Sequence, residues 1–140
     1  MLLEQVKNLS IEQFNQIPEG FSNNISWNMG HLVAVQQGIC YQKAGLPQLI
    51  SDDFFEKFKP GSKPNGIFSK NDILHIKELL VITLDQLEND YNNLVFCNYT
   101  VWFTRIGTRV NNIDNGLKFL SFHEKLHSGT IAALKRLVTN

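Results

Sequence analysis

The sequence predicts an all-α protein built from four helices, with a long crossover between the second and third. Three observations carry that expectation. Apolar residues recur at helical spacing in four segments, each bounded by a capping residue, a proline or a glycine. Only one short stretch, Tyr99 to Phe103, has the composition of a strand. The last segment carries His123-Glu124-Lys125-Leu126-His127, which places two imidazoles one helical turn apart.

The first helical segment is short, running from Leu2 to Leu9, with Ser10 as N-cap for a continuation over Ile11 to Ile17 that Pro18 and Gly20 stop. The second spans about Asn24 to Ala44, opened by Ser22 or Asn23 and closed by Gly45 and Pro47. Residues 45–69 hold three prolines, Pro47, Pro60 and Pro64, together with Gly61 and Gly66, and read as one long connection. Ser69 followed by Asp72 resembles an acidic capping box and starts a third helix that ends near Tyr91. The stretch from Asn92 to Asn112 is irregular, and the fourth helix covers about Asp114 to Val138. A helix of ~20 residues is ~30 Å long. The 25-residue link can span that length, which lets helices two and three run parallel and disfavours a simple up-down-up-down order. Helix three carries an apolar arc of Ile73, Ile76, Leu80, Leu84, Leu87 and Tyr91, with Leu74, Leu79, Val81 and Ile82 outside it. A second apolar face needs cover, from the long linker or from another copy of the chain, and a homodimer is the favoured source.

A chain of 140 residues supports one domain, 1–140, with a real core. Thirteen basic and thirteen acidic residues give a formal net charge of zero, and no basic stripe is present, Lys135-Arg136 being too short to count as one. Nucleic acid and anionic membrane are therefore not expected partners. Cys40 and Cys97 stand alone, without the spacing of a zinc cage or a disulfide framework. The N-terminus lacks a basic segment followed by an apolar one, and no apolar run approaches 18 residues, so a cytoplasmic protein is expected.

Projected on a helical wheel, Phe119, Leu120, Leu126, Thr130, Leu134 and Leu137 lie within roughly 60° of His123, whereas Ser121, Lys125 and Ser128 fall on the far side. Positions i and i+4 differ by ~40°, so His123 and His127 share the apolar face and can reach one metal ion. Burying such rings without a partner is costly. Two ligands hold a catalytic metal poorly, and the third is sought upstream. His31 sits on helix two beside Trp27, Ala34, Val35 and Gly38, small residues that leave room for a metal and a substrate. His75 lies among Asn71, Asp72, Glu78 and Gln86, a solvated edge. The residues alone leave two readings open: metal ligands, or hydrogen-bonded core histidines.

Read literally, residues 123–127 are the HExxH signature of zinc proteases, with Glu124 as general base. The thirteen residues after His127 contain no His, Glu, Asp or Cys, and the extended form would need Gly at 130 and His at 133, where Thr130 and Ala133 stand. Glu124 also points ~100° away from His123 on the wheel. A protease is not predicted.

Trp27-Asn28-Met29-Gly30-His31-Leu32 resembles the W-x-x-G-H-L segment of DinB/YfiT-like proteins, and His123 to Gly129 resembles their H-E-x-x-H-x-G segment. Leu9-Ser10-Ile11-Glu12-Gln13 resembles the turn that ends their first helix, and Thr104 to Gly107 a connection found in one branch. The resemblance covers essentially the whole chain. It implies a four-helix bundle of up-down-down-up connectivity, a divalent metal held by His31, His123 and His127, and a homodimer. Zinc or nickel are the foremost ions, iron a further one. The resemblance also implies a metal-dependent enzyme acting on small molecules, a transferase that uses a low-molecular-weight thiol or a hydrolase. The rival from another class is a non-catalytic helical metal-binding or interaction module. One departure stands out: the family's first helix extends well before the Leu9 turn, and only eight residues precede Leu9 here. Arg105 and Arg109, near Tyr99, Trp102 and Phe103, are candidate holders of a substrate carboxylate, and Trp27 a candidate pocket wall.

Overall fold

The computed structural model describes residues 2–139 and is mostly helical, with six α-helices and one two-stranded antiparallel sheet among them. The helices are α1 (Leu2–Val6), α2 (Ile11–Asn15), α3 (Ile25–Gln37), α4 (Asp52–Phe58), α5 (Lys70–Asn92) and α6 (Ile113–Thr139). Strands β1 (Trp102–Phe103) and β2 (Arg109–Val110) pair as a hairpin between α5 and α6. No helix of the described residues is long and apolar enough to cross a membrane.

Local chemistry sets most boundaries. Ser10 caps α2 with a full capping box, its hydroxyl accepting from Gln13 N while the Gln13 side chain accepts from Ser10 N. Ser69 and Asp72 form the acidic counterpart at the start of α5. Helix α2 ends at Asn15, two residues short of the expected Ile17, because the residue before Pro18 is driven to extended backbone. Asn24, not Ser22 or Asn23, caps α3, its side chain accepting from Trp27 N at 2.8 Å. The expected second helix to Ala44 is α3 followed by a π-turn, Gly38–Gln42.

The long connection is not structureless. Ser51 caps α4, and Asp52 and Asp53 occupy its first turn, where carboxylates favour the positive end of the helix. Phe54 and Phe58 of α4 are buried.

Helix α3 is the axis of the molecule. Every residue from Ile25 to Gln37 is buried, and α2, α4, α5 and α6 all pack against it. Two apolar clusters flank its length. One gathers Phe14, Met29, Phe58, Ile76, Ile131 and Leu134; the other gathers Ile39, Tyr41, Leu87, Phe96 and Leu120. On α3 and α6 alike, the histidines fall in sequence between members of the two clusters.

Two expected faces are displaced. On α5 the buried positions are Ile73, Ile76, Thr83 and Leu87, while Leu84 and Tyr91 are exposed. Thr83 can be buried because its hydroxyl donates to Leu79 O at 2.6 Å, leaving its methyl free to pack. On α6, Leu126 and Leu137 are exposed, and Ile131 and Val138 take the core instead.

Candidate metal centre

The site is assembled from the middle of α3 and the middle of α6. His31, His123 and His127 each offer a ring nitrogen, and these atoms lie within 4.8 Å of one another. Ring centroids stand 5.1 Å apart for His31 and His123, 4.7 Å for His31 and His127, and 4.4 Å for His123 and His127. Around a tetrahedral ion with bonds of ~2.1 Å, ligand nitrogens stand ~3.4 Å apart, so the three rings are a small swing from a shared ion. The cluster can hold a metal.

Two of the rings are oriented by the protein. His31 Nδ1 lies 2.7 Å from Phe58 O, at the last residue of α4, where a helix leaves its carbonyls without intrahelical partners. A carbonyl only accepts, so Nδ1 carries the proton and Nε2 keeps its lone pair. His127 Nδ1 lies 2.8 Å from Asn28 Oδ1. The Asn28 amide donates to Asn23 Oδ1 at 2.9 Å and to Asn24 O at 2.8 Å, which turns its oxygen toward His127. His127 therefore also holds its proton on Nδ1 and presents Nε2. His123 differs: its Nδ1 is buried and has no hydrogen-bond partner among the described residues. An imidazole left this way fits a metal site, because coordination of the ring supplies the interaction that burial removed.

Burial keeps all three rings neutral, the form that ligates. Loss of water lowers the pKa of His31, only partly opposed by its bond to the Phe58 carbonyl. Burial, with His127 and His31 adding to it, brings His123 down to about 3. Burial and the neighbouring His31 bring His127 to about 4.

The three rings border a cavity of about 610 Å³ between α3, α6, the π-turn and the hairpin. Its walls are aromatic. Trp27 stacks on His31 at 4.5 Å and 14°, and its Nε1 donates to Ser62 Oγ. Phe119 stacks on His123 at 6.0 Å, and Trp102 meets Phe119 edge-on at 5.6 Å. Among the described residues lining the cavity there is no Asp, Glu, Cys or Tyr. Cys40 is packed in the second apolar cluster with its thiol pushed up to about 12 by burial, and Cys97 is exposed.

Of the residues singled out in the sequence, Trp27, Arg105 and the three histidines line this cavity. Arg109 does not: on β2 it borders a separate shallow groove with Ile106 and Phe122. His75 stands outside the cluster, on the exposed side of α5 against Phe54. Glu124 borders a third groove with Leu32, Leu80 and Leu84, apart from the cavity that the histidines line. It is not placed to act as a base at the cluster. Lys43, Phe55 and the Phe58 carbonyl were not legible as site groups, since the π-turn and α4 that position them were not, and Asn28 was not because its role depends on the packing of α6 against α3.

Asn28→Leu tests the orientation of His127. The exchange is close to isosteric but leaves the His127 N–H without its acceptor. Zinc affinity, measured by competition with a chromophoric chelator, is expected to fall about 10–100-fold. Stability is expected to fall by about 1–3 kcal/mol, the cost of an unsatisfied buried polar group.

A helical protein with three neutral imidazoles converging beside an aromatic cavity is what fold and site together define. The family model described as the DinB superfamily matches residues 1–131. The chain belongs to the DinB superfamily. A comparison with curated proteins finds no match.

Proposed function

We propose that His31, His123 and His127 hold one divalent transition metal, zinc or nickel foremost and iron as a further choice, and that the protein is an enzyme acting on small molecules. The observation that carries this reading is the open cavity beside a three-ligand cluster. Structural zinc sites are closed by four protein ligands, whereas catalytic sites keep a position free. When bound, such an ion supplies Lewis acidity and lowers the pKa of a coordinated water or thiol.

The chain's own contribution follows from what lines the cavity. Among the described residues it supplies neither a carboxylate base nor a cysteine nucleophile there, which favours a nucleophile that comes from outside. A thiol, with an ordinary pKa near ~8.5, needs far less acidification than water at ~15.7 to be ionised at neutral pH. That favours a thiol-dependent transferase using a low-molecular-weight thiol over a hydrolase. His31 and His127 are held in one tautomer by Phe58 O and Asn28, and Trp27, Phe55, Trp102 and Phe119 line the cavity with aromatic surface. The same reading takes α3, α5, α6 and the paired α1 and α2 as a four-helix bundle of up-down-down-up connectivity. It extends to a cytoplasmic homodimer whose interface includes the exposed Leu74, Val81 and Ile82 of α5.

The test is elemental analysis of tag-free protein beside His31→Ala and His127→Ala. About one equivalent of a single transition metal per chain is expected in the parent, and less than about a tenth in either variant. Parent protein that is metal-free and refuses added zinc and nickel would sink the enzyme reading and leave a non-catalytic helical module.

A further inference from the structure

The charges around the cavity are segregated. The chain carries thirteen acidic and thirteen basic residues, yet two basic side chains, Lys43 and Arg105, border the cavity and no acidic one among the described residues does. Neither Lys43 nor Arg105 has a carboxylate within salt-bridge distance among the described residues, where the ion pairs are Lys7 with Glu4 and Lys59 with Glu56. A cavity lined by one sign of charge against apolar walls concentrates its field on a ligand of the opposite sign.

Position then says what shape of anion fits. Lys43 follows His31 by twelve residues through α3 and the π-turn, roughly 15 Å of axis at ~1.5 Å per residue less the smaller rise of the wider π-turn. Between them runs a continuous aromatic wall. The Lys43 ammonium sits 5.5 Å over the Trp102 ring, Trp102 meets Phe119 at 5.6 Å, and Phe119 meets His123 at 6.0 Å. Trp102 is itself fixed, its Nε1 donating to Tyr99 Oη at 2.8 Å and Tyr99 donating to Ile39 O at 2.8 Å. Arg105 is carried on the hairpin turn, which Gly107 N closes by donating to Thr104 O at 2.9 Å. Arg105 borders the same cavity, where its planar guanidinium can pair with a carboxylate.

We propose that this cavity binds an elongated carboxylate: an apolar or aromatic body lies along Trp102 and Phe119, and the carboxylate is held by Lys43 at the end remote from the histidines, with Arg105 as the second cation of the same cavity. This rests on the reading of the cavity as the substrate site. It adds the substrate class, and it assigns Lys43 a role that nothing in the local sequence around it suggests. The carboxylate can belong to the thiol or to the acceptor, since both must lie along the same wall to reach the histidines.

Two probes of equal shape test it, 6-phenylhexanoate and the neutral 6-phenylhexanamide, titrated at low salt with tryptophan fluorescence as readout. Parent protein, with and without zinc, is compared with the Lys43→Gln, Arg105→Gln and doubly substituted proteins. The carboxylate is expected to bind at least about tenfold more tightly than the amide to the parent, and within about threefold of it in the double variant. Amide affinity is expected to fall far less than carboxylate affinity in each variant, and urea midpoints equal to the parent's show that the variants retain the fold. A preference that survives in the double variant overturns the proposal, as does a carboxylate that binds no better than the amide or fails to bind. If the surviving preference disappears when zinc is removed, the carboxylate sits on the metal, so the proposed metal site stands while the anion site falls. Repeating the titration on zinc-loaded protein with 6-sulfanylhexanoate locates the charge. If its affinity drops more in the double variant than that of 6-phenylhexanoate, the anion belongs to the thiol; the reverse places it on the acceptor.

Discussion

Gly30→Ala is expected to destabilise the protein by about 2 kcal/mol or more, although alanine is the better helix former by ~1 kcal/mol. A methyl group at Gly30 would lie 2.4 Å from Cδ1 and 2.5 Å from Cε1 of Phe58. Phe58 cannot yield easily, because its ring stacks on Phe68 at 5.6 Å and packs against Phe54 at 4.6 Å. If it moves, its backbone carbonyl moves with it, and that carbonyl holds the His31 Nδ1 proton. The variant should therefore lose zinc affinity as well as stability. Gly129→Ala, in the interior of α6, is the control. Nothing lies within 4 Å of a methyl group there, so the same exchange should be stabilising by up to ~1 kcal/mol. Urea unfolding of the two variants, with zinc titration of each, measures both effects. A Gly30→Ala protein as stable as the parent would mean that α4 is not locked against α3.

The metal-free protein is expected to be markedly acid-sensitive. In the unfolded chain the histidines titrate near 6.5, while in the folded protein burial and mutual repulsion bring His123 to about 3 and His127 to about 4, with His31 lowered as well. Between those values the unfolded state binds more protons than the folded one, and stability must rise with pH. The folded state is thus fully favoured above pH 6.5 and loses ground as pH falls from 6.5 toward 4, with two protons or more taken up on unfolding. Urea midpoints of chelator-treated protein should be level between pH 7 and 8 and fall steeply below 6.5. His123→Phe should shed about one proton of that dependence, because it removes the most strongly shifted ring. Added zinc should raise the plateau and delay the fall, since the metal and the protons compete for the same nitrogens. A chelator-treated protein with level stability from pH 8 to pH 5 would show that the rings are not buried as described.

What could be read from the sequence divides along a physical line. Features set by neighbours in the chain were legible. Ser10 and Ser69 cap helices because an oxygen and an amide three residues on are all a cap requires. His123 and His127 share a face because a helix imposes it, and the small residues around His31 mark the wall where the three rings meet. Features set by partners were not. Which arc of α5 is buried depends on where α3 lies, so Thr83 displaced Leu84. The outward turn of Leu126 depends on a cavity that only the folded chain has. Helix α4 had a readable start in Ser51-Asp52-Asp53, masked by the prolines further along the same stretch. Arg105 and Arg109 look equivalent in sequence, and only the hairpin register sends one to the cavity and the other away.

The π-turn at Gly38–Gln42 has a consequence for how such a protein diversifies. Lys43 N reaches back five residues to Gly38 O, at 3.2 Å, so one residue more than an α-helix needs is folded into this turn. Removing a single residue would restore the α repeat and change the course of the backbone through the turn itself. The residues re-aimed would be those of the turn, Gly38, Ile39 and Gln42, which line the cavity, while His31, two turns upstream, would keep its place against Phe58. One codon's loss or gain can thus reshape one end of the cavity and leave the three imidazoles intact. The shape of the cavity and the histidine cluster are, in this chain, separately heritable.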